Sequence, residues 1–545
     1  MAERLYLGID VGTGSARAGL FDGRGALRGA ASHPIQTWRP ADDFVEQSSD
    51  DIWRACGVAT REALRVAGAS PADVVGVGFD ATCSLVALDA QDLPVTVSPT
   101  GRDEQNVIVW MDHRSHVQTA RINALGHEVL RYVGGVISPE MQTPKLAWLA
   151  ENMPEAFARA ARFLDLPDFL AYRATGVDVR SLCTTVCKWT YLAHAGGWRE
   201  DYFRAAGLGA LADEGFRRIG ADVRPMGERQ GALTAKAAAE LGLAPGAAVA
   251  VAIIDAHAGG LGTIGVAIDG VTPDAAALER RVALIGGTST CHMAVSRAPR
   301  FVPGVWGPYS SAMVPGMWLT EGGQSATGAL VEHTLRTHAR YAELAADASH
   351  RATTPYAILA ERLEAMRGNL PSVSMLTDDL HVLPDHHGNR SPRADASLRG
   401  AVVGLRLRDT LDELALLYLA TIQGIAHGTR HVLDAMRGAG YEPEILVACG
   451  GDTKNELFVR EHAEATGCRI VLPREPEAVL AGSAILGAVA ARGAPSIVAA
   501  MGAMTSAGEV VAPSGGEVAA FHDRKHRVFL RMHDDHMAYR AMMRA

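Results

Sequence analysis

Apolar residues run through Leu5-Tyr6-Leu7-Gly8-Ile9-Asp10 and stop at the turn Val11-Gly12-Thr13-Gly14-Ser15. A short apolar run bounded by turn residues predicts a buried strand. Arg17-Ala18-Gly19-Leu20-Phe21 predicts a second strand, and Asp22-Gly23-Arg24-Gly25 turns the chain into a third, Ala26 to Ala31. The same pattern returns far downstream: Val282-Ala283-Leu284-Ile285, the turn Gly286-Gly287-Thr288-Ser289-Thr290, then Cys291-His292-Met293-Ala294-Val295. Between the hairpins, a helix is predicted from Ser49-Asp50 to about Ala67, a strand from Val74 to Asp80, and another from Leu85 to Asp89. A strand is expected from Asn106 to Trp110, with Asp112 opening a helix, then short helices over 144–152 and 166–172. Ala248 to Asp255 reads as one apolar strand ending in an acid, and residues 269–280 as a connector.

The second half predicts helices near 325–338 and 340–368 and a loop over 383–392. Leu414, Leu417, Ile422, Ile425 and Val432 recur at helical spacing within a long amphipathic helix, Thr410 to Arg437. A strand, Ile445 to Cys449, ends at Gly450-Gly451-Asp452. A helix from about Asn455, a strand from Arg469 to Leu472 and a small-residue helix from Pro476 to Ala491 follow. The tail, 494–545, ends in a helix rich in Met, His and Arg that is expected to pack on the surface.

A small Gly/Thr/Ser turn exposes backbone N–H groups and hydroxyls, which bind phosphate oxygens. In a Rossmann or P-loop site the glycine loop opens a helix. Here each turn opens another strand, so a β-meander is predicted instead. Two such turns in two halves of one chain suggest a nucleotide phosphate chain gripped between two related domains.

At 545 residues the chain is too long for one core and predicts two large domains. A net charge of −9 with scattered basic residues argues against nucleic-acid binding. No apolar run is long enough to cross a bilayer, and Met1-Ala2-Glu3-Arg4 leads straight into a strand, which predicts no signal peptide. Cys56, Cys83, Cys183, Cys187, Cys291, Cys449 and Cys468 are odd in number and scattered, a pattern of the reducing cytoplasm rather than of a disulfide framework. Cys183 and Cys187 have no second ligand pair nearby in the sequence, so no zinc site is expected. Lysine is rare, and Lys145 and Lys188 stand out as positions where a compact ammonium is retained.

The chain resembles the FGGY carbohydrate kinases, within them the pentulose kinases, over roughly residues 4 to 535. The resemblance rests on Gly8 to Ser15, Trp110-Met111-Asp112-His113-Arg114, Lys145-Leu146-Ala147-Trp148-Leu149 and Asp255-Ala256-His257-Ala258-Gly259. It continues in Gly286 to Thr290, Glu321-Gly322-Gly323-Gln324-Ser325, and Cys449-Gly450-Gly451-Asp452-Thr453-Lys454-Asn455. Phe79-Asp80-Ala81-Thr82-Cys83-Ser84-Leu85 and His387-Gly388-Asn389-Arg390-Ser391-Pro392 look like the D-ribulokinase branch. Glu140, Gln142 and Gln423 depart from the family's usual residues. The resemblance implies an α/β fold of the actin-like, ribonuclease-H-like ATPase kind, duplicated, with two domains and a cleft between them. The expected division is an N-terminal FGGY-type domain over 1–270, an ATP-binding C-terminal domain over 271–493, and a tail over 494–545 packing on both.

The resemblance also implies roles. Asp255 would be the catalytic base, orienting the acceptor hydroxyl and taking its proton; from its residues alone it is equally a helix cap. Asp10 would hold Mg²⁺, with a turn-forming role as the alternative. Gly12, Thr13, Gly14 and Ser15 would contact the β- and γ-phosphates of ATP from one side, and Gly287, Thr288 and Ser289 from the other. Gly450, Gly451 and Asn455 resemble an adenosine site. Thr82, Cys83, Asp112, Lys188, Asp255 and Glu321 are the sugar-binding candidates, because charged groups give a polyol strong hydrogen bonds. His257 reads as a packed neighbour and His386-His387 as a solvated loop.

The implied reaction is transfer of the γ-phosphate of ATP to the terminal hydroxyl of a ketopentose, D-ribulose to D-ribulose 5-phosphate. L-ribulose, D-xylulose and ribitol are alternative acceptors. A non-kinase actin-like ATPase or regulator and a binding-only pseudokinase are the rivals from other classes. The resemblance leaves room for a homodimer.

Overall fold

The computed structural model describes residues 4–544; Met1 to Glu3, the expected lead into the first strand, and Ala545 lie outside the described residues. Both predicted hairpins form, and each founds a sheet. In the first half, Leu27–Pro34, Ser15–Phe21 and Leu5–Val11 pair antiparallel, and Val74–Ala81 lies parallel beside Leu5–Val11. Ala248–Ala250 and Ile253–Ile254 then pair with Val74–Ala81, also parallel. In the second half, Trp318–Gln324, Thr290–Ser296 and Arg281–Gly286 repeat the antiparallel trio. Ile445–Gly450 lies parallel beside Arg281–Gly286, followed by Arg469–Pro473. This is the duplicated arrangement of the actin-like, ribonuclease-H-like fold.

Register carries the functional consequence. Asp10 pairs with Asp80 across the first sheet, and Gly286 pairs with Gly450 across the second. Each turn therefore sits beside the end of a neighbouring parallel strand, where open α/β sheets gather their binding groups.

Several expected elements end or start elsewhere in the structure. The apolar run 248–255 is two short strands, and Asp255 is the first residue of the helix Asp255–Ile264. The predicted helix over 340–368 is two, Tyr341–His350 and Pro355–Arg367, the second capped by the Thr354 side chain. Asp112 opens no helix; the helix starts at His116. The tail is more than a surface layer. Ala507–Val511 adds an edge strand to the second sheet, and Lys525 in the helix Gly516–Arg544 is buried, donating to the carbonyls of Thr377 and Leu380. Among the described residues no helix is long and apolar enough to cross a membrane.

The helix Ala478–Ala490 belongs to the second half by sequence, yet it lies on the first sheet and against the helix Asp255–Ile264. Its approach is too close for side chains. A Cβ on Gly78 would stand 1.9 Å from the Ser483 carbonyl oxygen, and one on Gly482 would stand 1.9 Å from that of Ala258. Gly78→Ala therefore forces backbone apart and is expected to cost about 1–3 kcal/mol, read as a lowered Tm. Gly23→Ala, whose Cβ would meet nothing within 4 Å, serves as the control. Equal melting temperatures for the two variants would remove the close-packing argument.

Candidate active site

The two sheets end on a shared cavity of about 450 Å³. Asp10, Gly12, Thr13 and Arg17 line it from the first hairpin, and Gly286, Gly287, Thr288 and Ser289 from the second. Both turns are braced from outside. Gly12 N–H donates to the Ser15 carbonyl, the Gln47 amide donates to the Thr13 carbonyl, and the Trp110 indole donates to the Thr13 hydroxyl at 3.0 Å. In the second turn Gly287 N–H donates to the Ser289 carbonyl, while the backbone of Thr327 and Gly328 donates to the carbonyls of Thr288 and Gly287. Gly450 and Gly451 line the same cavity, and Asp452 beside them pairs with the Thr327 hydroxyl.

Three aspartates converge where the first sheet ends. Asp10 and Asp80 are register partners on adjacent strands, and Asp255 follows the strand on the far side of Asp80. Burial first, and the charge of Asp10 second, push the Asp80 carboxyl well above its ordinary range. The same two causes bring Asp255 up to about 6. Arg17 offsets part of this negative charge, its Nε donating to Asp10 at 2.7 Å while a second nitrogen reaches Glu477. Ser483 donates to Asp80 from the crossing helix.

The same cavity carries the groups suited to a polyol. Thr82, Cys83, Lys188, Asp255 and Glu321 all line the cavity, together with Glu140, Trp306 and Arg390. Lys188 stands 4.9 Å above the Trp306 ring. Burial works against ionising Glu321, but the nearby imidazole of His257, 3.5 Å away, and the charges of Lys188 and Arg390 outweigh it and bring the carboxyl down to about 2. His257 lies with Nε2 3.5 Å from Glu321 and Nδ1 3.0 Å from the Cys183 sulfur.

Four expected site residues do not reach the cavity. Asp112 is wholly buried elsewhere: it accepts from Val45 N–H at 2.6 Å and from the Arg114 guanidinium, which also pairs with Glu46. Its oxygens are consumed by this network, so a sugar-binding role for Asp112 is corrected to a structural one. The Asn455 amide donates to the Tyr418 hydroxyl at 2.7 Å and is not part of the lining. Gly14 and Ser15 close the first turn through their backbones and also stand outside it. The two singled-out lysines separate: Lys188 faces the cavity, whereas Lys145 Nζ donates to the carbonyls of Val109 and Trp110. The resemblance implies no role for Asp80, Arg17, Trp110, Trp306 or Arg390. Asp80 carried a signal, since it ends a buried strand as Asp10 does.

Residues 5–262 match the N-terminal domain of the FGGY family of carbohydrate kinases, and residues 282–491 match its C-terminal domain. An FGGY carbohydrate kinase domain-containing protein of Homo sapiens is 49% identical, over 99% of this chain and 98% of that one. A D-ribulokinase of Saccharomyces cerevisiae is 38% identical, over 89% of this chain and 72% of that one. Among solved structures, a xylulose kinase from Rhodospirillum rubrum superposes with a TM-score of 0.78 at 22% identity, covering 98% of this chain and 99% of that one, a likeness of fold. With both domain halves matched in order around one cavity, the chain belongs to the FGGY family of carbohydrate kinases and is a phosphotransferase that takes an alcohol group as acceptor.

Proposed function

We propose that the chain phosphorylates the terminal hydroxyl of D-ribulose at the expense of ATP, giving D-ribulose 5-phosphate. The observation that carries this reading is the position of Asp255, in one cavity with both phosphate-binding turns and with Lys188 and Glu321. The 38% identity to a D-ribulokinase supports this acceptor over other polyols.

In this reading the turns at Gly12–Thr13 and Gly287–Ser289 hold the β- and γ-phosphates through backbone N–H groups and hydroxyls. Lys188 and Glu321 hold sugar hydroxyls by charge-assisted hydrogen bonds, and Trp306 presents an apolar face to the carbon skeleton. Asp255 orients the terminal hydroxyl and accepts its proton as the phosphoryl group moves. Gly450 and Gly451 bring backbone close to the nucleoside. The crowding that raises Asp80 and Asp255 marks negative charge without full compensation, and carboxylate oxygens are the donors a hard cation takes. The residues therefore fit Mg²⁺, with Asp10 as the group that would hold it. Bound there, the ion would neutralise charge on the phosphate oxygens. Water exclusion on domain closure would limit hydrolysis of ATP.

An ATP-to-ADP assay with Mg²⁺, run across ketopentoses, pentitols, glycerol and no sugar, tests the assignment. D-ribulose is expected to give the highest kcat/KM. A higher value for L-ribulose, D-xylulose or ribitol would replace the acceptor, and ATP turnover indifferent to sugar would replace the kinase reading with an ATPase or regulator.

A further inference from the structure

Behind the sugar-facing wall lies a second group of reactive side chains that phosphoryl transfer does not use. Cys183 and Cys187 stand four residues apart on the helix Leu182–Lys188, a spacing that puts both sulfurs on one face. His257 Nδ1 is 3.0 Å from the Cys183 sulfur. The three ligand atoms lie within 4.8 Å of one another, and all three residues are fully buried. We propose that Cys183, Cys187 and His257 bind a thiophilic divalent cation of the zinc class.

The donor set argues for that class. Two sulfurs and an imidazole nitrogen suit zinc, whereas magnesium takes oxygen. Zinc sits about 2.3 Å from sulfur and about 2.0 Å from nitrogen, which spaces its ligands at roughly 3.5–4 Å. The observed separations need only small side-chain adjustments to meet that spacing. Two thiolates neutralise a divalent ion, so the complete site carries no net charge into the core, which lowers the cost of burying it. Binding releases the thiol protons to solvent. Three protein ligands leave a fourth position for a small non-protein ligand such as water.

An outer-shell partner is present as well. Metal-bound histidines hold their other ring nitrogen against a carboxylate, which fixes the ring and its tautomer. His257 Nε2 stands 3.5 Å from Glu321, leaving Nδ1 on the sulfur side. The site thereby adjoins the catalytic cavity from behind. Cys187 immediately precedes Lys188, His257 is two residues beyond Asp255, and Glu321 lines the cavity. A bound ion would clip the short helix bearing Lys188 to the helix that begins at Asp255.

The full chain, stripped with chelator and reduced, is reloaded with Zn²⁺ and dialysed against excess Mg²⁺. One zinc per chain is expected to remain. X-ray absorption of the wild-type protein should show two sulfur neighbours and at least one nitrogen. Cobalt in place of zinc should show thiolate-to-metal charge transfer, which an all-oxygen site cannot give. Cys187→Ala should lose the zinc, and Glu321→Gln should weaken zinc affinity by about 10–100-fold, the usual effect of removing an outer-shell carboxylate. No retained zinc in the folded wild type, a shell of nitrogen and oxygen only, or retention unchanged in Cys187→Ala would each overturn the proposal. The absorption measurement needs no variant, so a misfolded Cys187→Ala leaves the test intact.

Discussion

Replacing Asp255 by asparagine is expected to lower kcat by about 10²–10⁴-fold while the KM for ATP stays within a few-fold, because a positioned base contributes that much to rate. Asparagine keeps the size of the side chain but cannot accept the acceptor's proton. The turns that hold the phosphates are built from other segments and should survive the change. Stability should hold or rise, since the substitution removes one charge from a buried trio of acids. The pH dependence follows from the same position. Burial, with the repulsion of Asp10, brings Asp255 up to about 6. An acid raised in this way is protonated below that pH and ionised above it. The kcat/KM of the wild-type enzyme, which reports groups of the free enzyme, should therefore fall as pH drops through about 6, approaching tenfold per pH unit, and should be level above it. Steady-state kinetics on both proteins from acid to neutral pH checks this. An Asp255→Asn enzyme with near wild-type kcat would sink the assignment of the base.

The second large effect is on stability. Asp112→Ala removes one carboxylate from a buried Glu46–Arg114–Asp112 network and leaves the Val45 N–H without its acceptor. Breaking a buried ion pair by removing one partner costs roughly 3–5 kcal/mol, because the remaining charge loses compensation. An unfolding free energy, read from chemical denaturation, lowered by that amount, with sugar KM unchanged in the folded enzyme, is the expected result. A stable Asp112→Ala protein with a raised sugar KM would return Asp112 to the binding site.

What could be read along the chain had local causes. The two hairpins, the turns Gly12–Ser15 and Gly286–Thr290, the helix Ser49–Ala67 and the long helix Leu411–Gly438 are each written in periodicity, turn residues and caps. The repetition of the hairpin carried the duplicated fold and the pairing of two phosphate turns. The strand-ending acids at Asp10, Asp80 and Asp255 were visible too, although only register shows Asp10 and Asp80 side by side. The family resemblance extended this to Lys188 and Glu321, both of which line the cavity.

What could not be read depended on side chains meeting from distant segments. Asp112 and Glu321 are both isolated acids in the sequence. Val45, 67 residues away, donates to the first, which also pairs with Arg114, while the second lines the cavity with Lys188 and has His257 3.5 Å away. Lys145 and Lys188 differ for the same reason: one finds two carbonyls and the other an open wall. Cys183 and Cys187 looked like a ligand pair lacking partners until the fold brought His257, 74 residues away along the chain, within 3.0 Å. Secondary structure, the repeated hairpin and the phosphate turns were therefore set by neighbours a few residues apart, whose conformational preferences act before any packing. Which acids meet around the cavity, which is tied into a buried ion-pair network, and which thiols lie beside an imidazole were decided only in the tertiary structure, because these contacts depend on distances the chain reaches after it has closed.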